Sequence, residues 1–600
     1  MRVWRSVILS LLFLFASSVA LEAAQLTPEQ TMKRRQLYDL RLSPDGSRIA
    51  LTVSEPVEGT EQNRDFWVFD IKSRHLRKFT TSPKSDTRPR WSPDGKTLAF
   101  LSGRSKTTQI YILSMLGGEA EALTETKTAI RAFEWSPEGK QIAYLATELE
   151  TEEEEKRKKD KDDARVVDLD DKHPQLWILD VESREVRQLT YGKWRISEFS
   201  WVPQGEQFVI SATDHPQPEL FTNRIYTVQV SDGEMKLVSS PRGSFHNLKV
   251  SPDGKFIAYV GARVDAPIAR DIYLQPIPDG QPQNLTSSSI DRQIRSFFWR
   301  KDRSLLALVQ AGFNSTFYAI TQDGKAEKLE GFDVSPSSSF VVGPRLLAFV
   351  GQSATKAPEL WISPRPGHAE QVSHLNKEWD EIVLTKPEML RYSSFDGTEI
   401  EAALLKPAGY KEGSRVPLLV LIHGGPSGVW SDRFEAWGQL LAARGFAVLY
   451  PNIRGSIGYG NAFLEMNRRD WGGGDFKDVM AGVDFLIKQG IADPERLGIG
   501  GWSYGGYMAA WAVTQTPRFK AAVSGAPMTD LASEYGTESS SINSYDTWYL
   551  GTPYENLDLF IERSPVTHVK KVRTPTLILC GEKDTTDPIG QCQQFYRGLK

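Results

Sequence analysis

Cysteine is nearly absent. Cys580 and Cys592 are the only two in 600 residues, too few for a disulfide framework, and no zinc-ligand spacing surrounds them. Cys580 ends the apolar stretch TLILC and Cys592 falls on the helical pattern that follows, so two free thiols are expected, a disulfide being the alternative in an oxidising compartment. An excess of basic residues is missing too. Lys and Arg number 72 against 76 Asp and Glu, the net charge is −4, and no basic stripe offers a surface for nucleic acid. Long apolar runs are lacking apart from residues 7–16, a stretch too short for a span of ~20 residues. That stretch follows Arg2 and Arg5 and leads to Ser18 and Ala20, small residues at a cleavage site, which is the pattern of a secretory signal peptide over residues 1–20. No cysteine follows it to carry a lipid. The expectation is a periplasmic or secreted protein with no stable membrane insertion after signal cleavage.

What the chain has in abundance is repetition. LSPDGSRIAL, WSPDGKTLAF, WSPEGKQIAY, WVPQGEQFVI, VSPDGKFIAY, WRKDRSLLAL and a worn VVGPRLLAFV recur along the first half. Their turn glycines are Gly46, Gly95, Gly139, Gly205 and Gly254, with Arg303 and Pro344 at the corresponding points of the last two copies. Each copy is a tight turn leading into an alternating strand. A second strand motif keeps step with it: DFWVFD, QIYILS, QLWILD, RIYTVQ, DIYLQP, TFYAIT and ELWISP. Two interleaved strand motifs in seven copies predict a seven-bladed β-propeller over residues 41–375, after an N-terminal segment of 21–40, because one blade cannot bury its own faces. The charge run at 147–172 lacks apolar periodicity and reads as a solvated excursion from one blade.

After residue 376 the pattern changes to short, fully apolar runs alternating with helical stretches: PLLVLIHGGP, GFAVLYPNIRG, RLGIGGWSYGG, FKAAVSGAP and TPTLILCGEKD. Strands buried on both faces and separated by helices imply a parallel α/β sheet, here an α/β-hydrolase domain over 376–600. In DFKDVMAGVDFLIKQG, Val479, Val483 and Leu486 share one helix face and Asp475 reads as its N-cap.

Functional groups in such sheets gather at the C-terminal strand ends. Ser503, in the G-W-S-Y-G sequence between a strand and a helix, has the context of a nucleophile elbow, whose tight turn demands glycine at 501, 505 and 506. An oxyanion needs preorganised donors, and the backbone N–H groups of Tyr504 and of Gly424 in the HGGP turn are the natural pair. His423 then lines that turn. Asp584, just past a later strand, stands where a histidine-orienting carboxylate belongs, with Asp587 as its competitor. No histidine follows Asp584, and His568 could serve as base only by an unusual topology. The final segment PIGQCQQFYRGLK is helical in pattern and uncapped, so the hydrolase domain is expected to be truncated, with its catalytic histidine beyond Lys600. No metal or organic cofactor is expected.

HGGP, YPNIRGSIGYG, DWGGGDFKDVMAGVDFL, GWSYGGYM and SPVTHVKKVRTPTLILCGEKD together make the chain resemble the prolyl oligopeptidase family of serine peptidases, in its acylaminoacyl-peptidase and dipeptidyl-peptidase branch. The resemblance covers nearly all of the mature chain. It implies a propeller that limits access to a hydrolase, short peptides as substrates, Ser503 as nucleophile and Asp584 as triad acid. It also implies that Asn452 and Arg454 help to form the substrate site and that His568 is structural. The family's usual DxRVP reads DTTDP here, with Thr586 and Asp587 in place of arginine and valine, and Cys580 stands where a histidine is usual. Dipeptidyl-peptidase action is the first expectation. Acylaminoacyl-peptidase or oligopeptidase action is the alternative, with an ester hydrolase and an inactive binding scaffold as readings from outside the family's peptidases.

Overall fold

The Pro-Asp-Gly turns reverse the chain between the first two strands of successive β-sheets. Gly46, Gly95, Gly139, Gly205 and Gly254 all sit at φ between 70° and 80°, and in the sixth copy Arg303 adopts the same left-handed conformation, at 66°. In this computed structural model, which describes residues 26–162, 164, 166, 171–215, 221–365 and 367–600, seven four-stranded antiparallel sheets follow one another. The expected signal peptide at 1–20 lies outside the described residues. Among the described residues no helix is long and apolar enough to cross a membrane.

Each blade is four consecutive strands, beginning with Leu37–Leu42, Arg48–Ser54, Arg64–Asp70 and His75–Lys78. A recurring lock ties the third strand to its outer neighbour. The side chain of Thr80, Thr124, Thr190, Thr286 or Ser373 accepts from the backbone N–H at 66, 110, 176, 272 or 360, while its hydroxyl faces Asp65, Gln109, Gln175, Asp271 or Glu359. Neighbouring blades are joined by packing and by tryptophan. Trp91, Trp135 and Trp299, at the ends of innermost strands, donate to the carbonyls of Arg41, Arg90 and Lys249 in the preceding blade. No strand is shared between the first and seventh blades; Leu37, Leu40 and Ile49 meet Val341, Ala348 and Leu360 there instead.

The charge run is more ordered than expected. Glu152–Lys159 is a helix with no buried residue, started by a capping box between Thr151 and Glu154. Four glutamates lead it and four basic residues end it, the arrangement the helix dipole favours.

The second domain holds a seven-stranded sheet in the order Glu388–Ser393, Glu399–Leu405, Ala447–Pro451, Val416–Ile422, Ala492–Trp502, Phe519–Gly525, Thr576–Leu579. The five strands from Ala447–Pro451 onward run parallel. The leading pair is an antiparallel hairpin, so the parallel sheet expected from sequence is a mixed one. The two hairpin strands are joined by the short Asp396-Gly397 turn, whereas parallel neighbours need a long crossover. From the central strand Val416–Ile422 the chain goes to one side and then returns to the other, which opens a crevice at the strands' C-terminal ends.

The domains meet where the innermost propeller strands begin. Gly312, Phe313 and Ala354 donate to Gly458, Glu401 and Asp432, and Arg270 donates to Asn461. Asp291, just ahead of the innermost strand Gln293–Trp299, accepts from the backbone of Asn461.

Candidate active site

A side chain can project from a strand-to-helix turn only if the turn is very tight. Ser503 closes the gap between strand Ala492–Trp502 and helix Tyr504–Gln515 at φ 56°, ψ −121°. A Cβ at Gly505 would lie 2.1 Å from the carbonyl oxygen of Ile422, one at Gly506 2.1 Å from that of Gly525, and one at Gly501 2.5 Å from Gly505. The three glycines are sterically required. Ser503 donates its own N–H to Gly525 O at 2.9 Å, which pins the turn to the neighbouring strand.

Tyr504 is the first residue of the elbow helix, so its N–H has no intrahelical acceptor. Gly424 packs against the nucleophile: a Cβ on it would lie 3.6 Å from Ser503 Cβ. Two backbone donors thus flank the space in front of the hydroxyl. The HGGP turn is braced from behind, with His423 Nε2 2.8 Å from Ser456 Oγ and Nδ1 2.9 Å from Gly424 O. Burial holds the His423 imidazole down at about 4, so it is neutral at physiological pH. Tyr545 grips the same turn through the hydroxyl and N–H of Ser427, a contact with no sequence signature.

Asp584 and Asp587 both enter the site, in different roles. Asp584 Oδ1 accepts from the N–H groups of Thr586 and Asp587 at 3.0 and 3.1 Å and so shapes its own loop. Asp587 is the carboxyl in hydrogen-bond contact with Ser503, and burial and the charge of Asp584 raise it to about 7. Cys580 and Cys592 are joined as a disulfide that brackets this loop, where free thiols were the expected state. The cysteines close on each other because the strand end and the helix that follows return the chain to within 6.6 Å, Cα to Cα. Neither histidine considered from sequence is hydrogen-bonded to Ser503 among the described residues. His568 rests edge-on against Trp511 with Nε2 on the carbonyl of Glu562.

Asn452 and Arg454, expected to help form the substrate site, are both engaged within the fold. Asn452 is fully buried, its side chain accepting from the N–H of Trp430 and donating to its carbonyl. Arg454 forks onto Asp478 at 2.8 and 2.9 Å and onto Asp396 at 3.0 and 3.2 Å, with Asp478 wholly buried. Both hold the backbone beneath the site. Asp475 is likewise no N-cap: Asp470 caps that helix through Gly474 N, and Asp475 is buried under the elbow, accepting from the Tyr504 hydroxyl. Burial raises Asp475 to about 7.

Beside Ser503 lies a group of carboxyls that sequence reading missed, because it forms only when Glu534, Glu538 and Asp546, from two consecutive helices, meet the loop of Asp587. Glu534 is 1% exposed and neither of its oxygens has a hydrogen-bond partner. Burial and then Asp587, Asp546 and Glu538 push it up to about 10; Glu538 and Asp546, hydrogen-bonded to each other, are both raised, by burial first and then by neighbouring carboxylates. A carboxyl whose folded pKa is raised stabilises the fold fully below its unfolded value near 4.5 and loses that contribution as pH climbs through about 10. Glu534→Gln should therefore be neutral at pH 4 and stabilising at pH 9, by on the order of 2 kcal/mol. Thermal unfolding of both proteins at the two pH values checks this; an equal shift at both would refute it.

Comparison with known proteins matches residues 432–600 to the prolyl oligopeptidase family and 38–170 to the TolB beta propeller domain. The uncharacterized peptidase YuxL of Bacillus subtilis is 32% identical across 94% of this chain and 91% of its own length. Dipeptidyl-peptidase 5 of Porphyromonas gingivalis is 24% identical across 93% of this chain and 87% of its own. Among solved structures, an acylaminoacyl peptidase in complex with Z-Gly-Gly-Phe-chloromethyl ketone superposes with a TM-score of 0.83 at 25% identity, over 96% of this chain and 91% of that one.

Proposed function

The chain belongs to the prolyl oligopeptidase family of serine peptidases, and from that premise we propose that it is an exported exopeptidase that removes dipeptides from short peptides with Ser503 as nucleophile. The observation that carries the reading is the elbow: an accessible serine at φ 56° with Gly424 against it and Tyr504 heading the helix behind it. Ser503 Oγ attacks the scissile carbonyl and its proton passes to an imidazole other than His423 and His568. The N–H groups of Tyr504 and Gly424 receive the oxyanion. Asp587 touches the serine itself, so Asp584, in the same loop, is the better group to orient that imidazole. The amine then leaves with the imidazole's proton, and water repeats the sequence on the acyl-enzyme.

A preference for a free amino terminus is supported by the carboxyls of Glu534, Glu538 and Asp546. An ammonium group entering beside them would let them ionise and would be neutralised in turn. The full-length similarity to a dipeptidyl-peptidase supports the same reading. Export is supported by the leader pattern in residues 1–20. The superposition on an acylaminoacyl peptidase favours a second reading, release of acylated residues by the same chemistry.

A side-by-side assay of dipeptidyl, acyl-aminoacyl and internally quenched peptide substrates separates the two. The dipeptidyl substrate should have the highest kcat/KM, by about tenfold or more. A higher value for the acyl-aminoacyl substrate would favour the second reading, and rapid digestion of folded proteins would defeat both.

A further inference from the structure

The interior of the propeller carries an excess of positive charge. The innermost strands surround a chamber of about 690 Å³ whose lining carries six lysine and arginine side chains and two carboxylates. Both carboxylates are already engaged. Glu134 pairs with Arg90, and Glu198 accepts from the N–H groups of Asn247 and Leu248 at 3.1 and 2.8 Å. Arg88, Arg131, Arg195 and Arg295 form no ion pair among the described residues.

These four are not scattered along the channel. Each lies within the first three residues of its strand: Asp86–Trp91, Ile130–Trp135, Arg195–Trp201 and Gln293–Trp299. That is the end on which the hydrolase domain sits, as the Asp291–Asn461 contact ahead of the last of these strands shows. A backbone bulge interrupts each of these strands near its start. Across the gap Arg433, on the segment that follows the HGGP turn, repels Arg295 and also bears on His423. Burial lowers the guanidinium groups of Arg195 and Arg295 below their ordinary value, and Arg433 adds to the effect at Arg295. Arg433 thus lies between the cationic mouth and the oxyanion turn, close enough to bear on both.

From this arrangement we infer that the propeller mouth binds peptide carboxylates and so selects short peptides that carry a negative charge. Guanidinium groups match carboxylates as paired donors, and a low-dielectric chamber strengthens each pairing. The chamber is within the range of small-ligand sites, about 300–1,000 Å³, so it takes a few residues and excludes a folded chain. The carboxylate can come from a free C-terminus or from Asp and Glu side chains. The inference rests on the peptidase reading for its ligand class, but binding is measured without turnover, so failure of the dipeptidyl assay leaves it separately decidable.

The test is calorimetric titration of the full chain carrying Ser503→Ala with two peptide pairs. One pair is pentaalanine as free acid and as amide; the other is an amidated, acetylated Ala-Glu-Ala-Glu-Ala and its Gln counterpart. The charged member of at least one pair should bind about tenfold more tightly, less so in 0.5 M salt, and the pair that responds names the source. In Arg131→Gln/Arg295→Gln the ratio should fall to about one. Arg88→Gln/Arg195→Gln gives the same readout if the first double variant does not fold. Equal affinities within both pairs, or a ratio that survives the arginine substitutions, would overturn the inference.

Discussion

Ser503→Ala is expected to lower kcat/KM for every peptide substrate by about 10⁴- to 10⁶-fold, the loss seen when the nucleophile of a serine hydrolase is removed. The size follows from what remains. Gly424 and Tyr504 still offer two N–H groups to a carbonyl oxygen, but no atom is left to form the acyl bond. The fold should be untouched, since alanine keeps the Cβ that the turn at φ 56° already accommodates and Ser503 N still reaches Gly525 O. One side effect is specific to this site: Asp587 loses the hydroxyl that partly offsets its burial, so its carboxyl should titrate higher still. Steady-state kinetics alongside thermal unfolding check both halves. Activity that survives the substitution would remove Ser503 from the mechanism.

The second large effect is on stability. Arg454→Met should destabilise the hydrolase domain by about 3–5 kcal/mol, because it strands a buried carboxylate. Asp478 is wholly buried and takes two side-chain bonds and one backbone bond from Arg454, plus a bond from Ser394 Oγ. Methionine fills much of the volume but supplies no donor. Arg454→Lys should recover part of the loss, since one ammonium cannot serve Asp478 and Asp396 together as the planar fork does. Denaturant unfolding gives the free energy, and KM measured on the folded fraction should stay near the parent value. A raised KM in a stable Arg454→Met protein would restore the substrate-contact role.

These two residues mark where sequence is legible. Ser503 could be read because the elbow needs glycine at 501, 505 and 506, three constraints within six residues. The propeller could be read because a left-handed turn position recurs in six of the seven blades. Even Arg303, lacking the glycine, kept its place in the repeat. Thr80, Thr124, Thr190 and Thr286 were equally visible, each fifteen residues after its partner, and went unnoticed because no local propensity announces a side-chain lock. Arg454 could not be read, since Asp396 and Asp478 reach it only once the sheet has formed. Nor could the carboxyls at 534, 538 and 546, which two helices bring up to Asp587 beside the serine; Asp587 itself was legible as the competitor of Asp584. The leading hairpin misled for a simpler reason: strand direction is a property of the connection, and Asp396-Gly397 is too short for a crossover.

The way the propeller ring closes sets its response to temperature. Leu42 occupies in the first blade the position that Trp91 and Trp135 hold in the next two, so no indole reaches back from the first blade to the seventh. That joint combines the aliphatic packing around Leu37 and Val350, a bond from Asp39 N to Ser339 and an exposed pair between Arg74 and Glu370, and beside it Arg35 exchanges bonds with Leu375 and Asn376. Parting it mostly wets hydrocarbon, a change with a positive heat capacity and little enthalpy near room temperature. Such a joint weakens as water is cooled, while hydrogen-bonded joints do not depend on that driving force. Chilling the protein should therefore loosen the aliphatic part of this seam first, leaving the bonds of Arg35 to Leu375 and Asn376 as the latch that keeps the filter closed.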